Sequence, residues 1–228
     1  MSGRHGNHGP APGDDAGATR HPLGGPPLAR HPASLPGEAL PGRWAAAAGA
    51  PPGADPAGVR PDTVTPLFDG HVIDLTLEMW GPNEREIVGH PGAVAVLPVT
   101  AQGEVVFVRQ LREATRRRLL EIPAGGLKAG EDPLAAGHRE LTEETGLGGG
   151  AWTHAHTFWT TPGFCRELMW LYWAEGVEPG ERWTEPDPDE DIEVVKVPLA
   201  DVPALLPEIG DLKTLGALLL YLRSRAAG

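Results

Sequence analysis

Glycine and proline are crowded into one end of this chain. The first 60 residues hold 12 Gly and 11 Pro, 23 of 60 positions, whereas the remaining 168 hold 33 of the chain's 56. Prolines every few residues leave no apolar period of 2 or 3.6, and Trp44 is the one aromatic residue there. Such a segment buries too little apolar surface to offset the entropy of ordering it. Residues 1–60 are therefore expected to be a disordered extension, and a packed core must come from the rest, for which a 40% hydrophobic content suffices.

Charge follows the same division. Against 19 Lys+Arg stand 31 Asp+Glu, a net −12. Five Arg face four acidic residues in the first 60, so the remainder carries 14 basic against 27 acidic side chains, or −13. That surplus argues against nucleic acid or an anionic membrane as partner, since both need Lys and Arg to neutralise phosphate. The single cysteine, Cys165, rules out an intramolecular disulfide and a thiolate zinc cluster, and a reducing cytoplasm is the expected location. No run approaches the ~18 apolar residues of a membrane span, and the first 20 residues lack the apolar stretch of a secretory signal.

From Val64 onward the texture turns to short β-rich runs. His71–Trp80 alternates apolar and polar residues, and Gly81-Pro82-Asn83 punctuates a turn before Arg85–Val88. Ala93–Val99 and Val105–Val108, continuous apolar runs around a short polar turn, predict a hairpin buried on both faces. Trp152–Trp159, Leu168–Ala174 and Ile192–Val197 predict three further strands. Two helices are expected. The first has Asp132 as N-cap, Pro133 in the first turn, Leu134 and Leu141 facing inward and Gly146 as its stop. The second runs from about Asp211 to Arg225, with an apolar stripe of Leu212, Leu215, Leu218, Leu219 and Leu222. Mixed strands with helices packed on them imply an α+β or α/β sandwich.

The first helix also carries a conflict. Glu140, Glu143 and Glu144 lie three and four apart, so they share a face, repel one another, and sit at the end of the helix where the dipole disfavours anions. A solvated acidic face is the ordinary reading of such residues. A divalent cation would resolve the conflict, because a hard ion such as Mg²⁺ binds carboxylates together with phosphate oxygens. The wider spacing favours the cation: Gly125, Glu131 six later, Arg139-Glu140-Leu141, Glu143-Glu144 and Gly146-Leu147 form a pattern expected by chance at roughly one start in 10⁸.

This spacing resembles the signature of the Nudix hydrolases. His90-Pro-Gly-Ala-Val94, Val108-Arg-Gln-Leu-Arg112, Glu121-Ile-Pro-Ala-Gly125 and Thr161-Pro-Gly-Phe164 are similar to stretches of the ADP-ribose pyrophosphatases, as is a proline sixteen residues past the signature, here Pro162. The likeness runs from about Arg85 to Tyr221. It implies a Nudix fold, an α/β/α sandwich with a mixed central sheet, in residues 91–228. Residues 61–90 would form a small antiparallel β region, a candidate for exchange across a homodimer.

The resemblance also implies roles. Glu140 and Glu144, with the carbonyl of Ala124 and with Glu190, would hold Mg²⁺ or Mn²⁺, while Glu143, Glu144, Glu167 and Glu190 would serve catalysis. Arg85, Arg112, Glu121 and Pro162 would bind substrate. Arg139 is expected to fix the glutamates internally, Glu131 to be structural, and Gly125 and Gly126 to let their loop pass close to the metal without a Cβ clash. Trp80, Trp159 and Phe164 are either adenine-stacking or core residues. Glu167 either orders a water or pairs with Arg166. The sequence departs from the subfamily where its general base often lies, since Pro188 stands there; Glu190, Glu185, Asp187 or Asp189 would have to serve. The expected activity is hydrolysis of the pyrophosphate bond of ADP-ribose or a related nucleoside-diphosphate sugar. The alternatives are another Nudix substrate (GDP-mannose, FAD or an oxidised nucleotide) and an ADP-ribose sensor without turnover.

Overall fold

The structure is a computed structural model that describes residues 59–180 and 191–226. The extension expected at 1–60 lies outside the described residues except for its last two, and so does the acidic stretch from Glu185 to Glu190.

The chain forms two sheets. The smaller is antiparallel, in the order β1 (Thr63–Asp69), β2 (Asp74–Trp80), β3 (Asn83–Gly89). The alternation read over His71–Trp80 is realised only from Asp74, because Gly70 N–H donates to the carbonyl of Ile73 and closes a turn there. The larger sheet has eight strands. Its central path orders β11 (Ile192–Pro198), β5 (Glu104–Arg112), β4 (Ala93–Thr100), β10 (Leu168–Pro179) and β8 (Leu147–Gly148). β6 (Arg117–Glu121) pairs with β5, β7 (Ala124–Gly126) with β4, and β9 (Ala151–Trp159) with β10. β10 lies parallel to β4 over the register Met169↔Ala93 to Val177↔Thr100, so the sheet is mixed, as expected.

β4 is buried at every position, which is why it reads as an unbroken apolar run. The expected hairpin of β4 and β5 pairs only at its base, Val99↔Val105. Beyond that point the strands part. β7 takes the vacated edge of β4 through Ala93↔Gly126, Val94↔Gly125 and Ala95↔Ala124, while β6 continues along β5. This divergence seats the Glu121–Gly126 segment between the strands, next to the acidic helix. The polar run of Arg116-Arg117-Arg118 hid β6 from the sequence reading.

Helix α1 (Pro133–Thr145) begins and ends as its residues dictate. Asp132 accepts the N–H groups of Leu134 and Ala135, both at 3.0 Å, and Gly146 closes it at φ 70°. Leu141 faces inward as expected, whereas Leu134 is exposed. The buried face is Ala136, Gly137, Glu140, Leu141 and Glu144. Within it Gly137 admits Trp152, 3.1 Å from the place of a Cβ.

A short turn, α2 (Val202–Leu205), precedes α3 (Leu212–Ala226). The stripe assigned to α3 is corrected. Leu212 and Leu219 are exposed, and Thr214, Ala217, Leu218 and Tyr221 (i, i+3, i+4, i+7) face the core. Leu215, Leu218 and Leu222 of the expected stripe do pack on the core, and small Ala217 and aromatic Tyr221 complete the covered face. Tyr221 donates to Glu175 at 2.6 Å and meets Trp173 edge-on. No helix of the described residues is long and apolar enough to cross a membrane.

Candidate active site

The acidic face of α1 is organised around Arg139. Its guanidinium donates to Glu131 (2.8 and 2.9 Å), Glu140 (2.5 Å), Glu143 (3.0 Å) and the carbonyl of Gly126 (3.2 Å). One cation thus offsets three carboxylates, and Glu131 also accepts the N–H of Lys128 at 2.9 Å. The Arg139 hydrogen bonds hold the Glu131 carboxyl down at about 2. Glu140 is shifted the other way: burial raises it, and Arg139 offsets only part of that cost.

Glu140 and Glu144 are buried and Glu143 is exposed. Glu144 accepts the Ala124 N–H at 3.2 Å, and a Cβ at Gly125 would overlap the Glu140 carboxylate. Gly125 therefore serves the close approach that was expected of both glycines. Gly126 does not, because a Cβ there would meet nothing within 4 Å.

Among the described residues no three His, Cys, Asp or Glu side chains gather to hold an ion by themselves. The donor set nonetheless fits a magnesium-like cation. Such an ion takes one or two carboxylates and completes its shell with water and substrate phosphate, and Glu140 with Glu144 supplies the hard oxygens of a desolvated pair beside an open loop.

That loop borders a cavity of about 460 Å³. Its lining includes Ala124, Gly125 and Gly126, the charged Arg112, Glu121, Asp211 and Lys213, and His90, Thr160 and Glu167. Arg112 grips Glu121 with both prongs, Nε to Oε1 at 2.9 Å and Nη2 to Oε2 at 2.8 Å. Lys213 donates to the same carboxylate and to Asp211 at 3.0 Å. Burial raises the acid's pKa, but the pull of Arg112 and Lys213 exceeds it and leaves Glu121 lowered. Asp211 also caps α3 through Thr214, whose hydroxyl accepts the N–H of Ile122 at 2.9 Å. Lys213 and Thr214 escaped the sequence reading, because 92 residues separate each from its strand partner and no local pattern marks it.

Glu167 resolves one alternative. Arg166 pairs with the buried Glu78 of the small sheet and not with Glu167. Glu167 accepts the Thr160 hydroxyl at 2.5 Å and lies 3.6 Å from His90. Backbone bonds from Val88 to Phe164 (2.7 Å) and Arg166 to Val88 (2.9 Å) tie the 160–167 loop to β3.

The other assigned residues lie apart. Arg85 is exposed on β3 with its guanidinium on the Glu84 carbonyl at 2.9 Å, Pro162 is exposed on its loop, and neither lines the cavity. Trp80 donates to Glu78 at 3.0 Å, while Trp159 and Phe164 are exposed. Burial raises the Cys165 thiol, which suits a neutral residue. Glu190 lies outside the described residues.

Comparison with known proteins identifies the family. Residues 89–215 match the NUDIX domain. The chain is 43% identical over 168 residues to an ADP-ribose pyrophosphatase of Bacillus subtilis, covering 71% of this chain and 90% of that one. It is 37% identical over 155 residues to a methanol dehydrogenase activator of Bacillus methanolicus, covering 65% and 84%. A crystal structure described as an ADP compounds hydrolase superposes with a TM-score of 0.63 at 21% identity, over 74% of this chain and 94% of that one, and shows the shared fold. With the glycine-bordered acidic helix, the splayed strand pair and the matched domain all in one place, this chain belongs to the Nudix family.

Proposed function

We propose that this protein hydrolyses the pyrophosphate bond of ADP-ribose, or of a closely related nucleoside-diphosphate sugar, giving AMP and ribose 5-phosphate. The observation that carries the proposal is the desolvated Glu140–Glu144 pair packed against Ala124 and Gly125 beside the cavity. The likeness to the Bacillus subtilis ADP-ribose pyrophosphatase over most of both chains supports the substrate.

Glu140, Glu144 and the Ala124 carbonyl would hold a magnesium or manganese ion, with Glu190 as a further donor. When bound, that ion supplies charge neutralisation to the diphosphate. The chain's own groups do the rest. Arg112 lines the cavity with Nη1 outside its paired contact to Glu121, and Lys213 lies beside it, so both can meet phosphate oxygens. Of the cavity's described carboxylates, Glu121 is held by two cations and Asp211 by Lys213 and the α3 cap. Glu167 remains as the carboxylate that orients water and takes its proton.

The test is direct: purified protein with Mg²⁺ and ADP-ribose should release AMP. Release of no monophosphate from ADP-ribose or from any sugar nucleotide in a panel would defeat the reading. Tight ADP-ribose binding without product would instead favour a sensor. We place the enzyme in the cytoplasm as a homodimer built through residues 61–90, a region that leaves Phe68 and Val72 more than half exposed.

A further inference from the structure

We infer that His90 is a positioning residue that holds Glu167 in its working orientation by donating from Nε2, with Thr160 fixing the other oxygen; the inference rests on the catalytic reading of Glu167 given above. His90 is neither part of the acidic signature nor among the residues that the resemblance assigns.

The protonation of the ring follows from its hydrogen bonds. The backbone N–H of Gly92 points at His90 Nδ1 from 3.1 Å. A nitrogen that accepts cannot carry a proton, so the proton of the neutral ring is on Nε2. Gly92 presents its N–H from a left-handed conformation, φ 93°, and a Cβ there would run into Trp170 at 2.8 Å, so the arrangement requires glycine. Burial lowers the His90 pKa despite the opposing pull of Glu167, which keeps the ring neutral near pH 7.

Nε2 can then act only as a donor, and it faces Glu167 Oε1 at 3.6 Å. The opposite oxygen, Oε2, takes the Thr160 hydroxyl at 2.5 Å, and Thr160 N–H also donates to the Glu167 carbonyl at 3.2 Å. The carboxylate is thus bracketed from both sides. Its register against His90 is set by the Val88–Phe164 and Arg166–Val88 backbone bonds, which join the residue two before His90 to those three and one before Glu167. A contact slightly longer than a hydrogen bond in the free enzyme is of the kind that shortens when substrate binds. His90, Thr160 and Glu167 all line the cavity shared with Ala124–Gly126.

Two substitutions separate the two ring nitrogens. His90→Gln keeps a donor near Nε2, whereas His90→Asn keeps an acceptor for Gly92 and loses that donor. With Mg²⁺ and ADP-ribose, Glu167→Gln is expected to lower kcat about 100-fold. His90→Asn should lower it about tenfold, the scale of one hydrogen bond to a charged group, with KM nearly unchanged. His90→Gln should stay within about threefold of the parent. In the Glu167→Gln background, His90→Asn should cost nothing further, because its effect passes through Glu167.

An equal loss from His90→Asn in both backgrounds, or a His90→Gln enzyme as slow as His90→Asn, would overturn the inference. A Glu167→Gln enzyme with unchanged kcat would overturn the Glu167 reading and this inference with it, while leaving the substrate assignment intact. Independent of activity, long-range ¹H–¹⁵N NMR of the full chain should show His90 as the Nε2–H tautomer; an Nδ1–H pattern would also refute it.

Discussion

The carboxylate of Glu140 occupies the space that a side chain at Gly125 would need. The obstructing atoms are the far end of a flexible side chain, so Gly125→Ala should cost little stability while pushing Glu140 out of line with Glu144. The expected outcome is a melting temperature within a few degrees of the parent and a loss of kcat of at least about tenfold, the usual size of a disturbed metal shell. Gly126→Ala, which meets nothing within 4 Å, should be nearly silent in both. Thermal melts and steady-state kinetics on the two variants check the contrast; equal behaviour would refute the role given to Gly125.

Arg139 is a structural cation, and its removal should show as lost stability. Arg139→Met leaves Glu131, Glu140 and Glu143 without their shared donor, and Glu140 is buried. Breaking a mostly buried charge network in this way should cost about 2 kcal/mol, below the range for fully buried pairs because Glu143 is half exposed. Urea denaturation measures it. Added Mg²⁺ should restore part of the loss, since a cation at Glu140 replaces some of the missing charge.

The parts of this arrangement that the sequence made legible are local. Asp132 and Pro133 mark the start of α1 and Gly146 its end, and the Arg139–Glu144 spacing places its acidic face by helical geometry alone. The Glu121–Lys213 and Glu78–Arg166 contacts were not legible, because each joins residues 92 and 88 apart through a sheet whose strand order no local pattern encodes. Leu212 and Leu219 were misread for a related reason: leucine marks an apolar stripe only when the neighbouring element covers it, and the covered face holds Thr214 and Ala217. For Glu167 the sequence offered two roles, ordering a water or pairing with Arg166, and buried Glu78 removed the second by claiming Arg166.

The Glu131–Arg139 pair makes a prediction in acid. The Glu131 carboxyl sits at about 2 in the folded chain against an ordinary value of 4.5, so its stabilisation is fully present above pH 4.5 and is lost as pH falls toward 2. Glu131→Gln lacks this contribution at every pH. The stability gap between parent and variant should therefore be constant from pH 7 to about 5 and shrink through the window from 4.5 to 2. Denaturation midpoints across that range test it, and a gap that stays constant down to pH 2 would contradict the pairing.

The bond between Glu78 and Arg166 should behave as the latch between the small sheet and the 160–167 loop. Glu78 is almost wholly buried, so Arg166→Leu strands a carboxylate and should destabilise by about 3 kcal/mol. Glu78→Gln made together with Arg166→Leu should recover more than half of that, because the buried charge is then gone. Loss of the latch also frees the backbone next to Glu167, so kcat should fall in both variants even where stability is regained. Kinetics that recover in step with stability would show that the latch serves folding alone.

The proposed homodimer makes the last prediction. In β1 nearly every residue is exposed, and Leu67, Phe68, Val72 and Ile73 form an apolar group around the β1–β2 turn. An outer strand with so little covered surface leaves these apolar side chains a face to bury. Sedimentation of the full chain at micromolar concentration should give twice the 24.1 kDa chain mass. Phe68→Asp with Val72→Asp should shift it to the monomer, because charges placed in a contact surface must be desolvated to re-form it. Both positions are exposed within one chain, so the variant should keep the parent's far-ultraviolet circular dichroism. A variant that remains dimeric, or a parent that sediments as a monomer, would remove residues 61–90 from the interface.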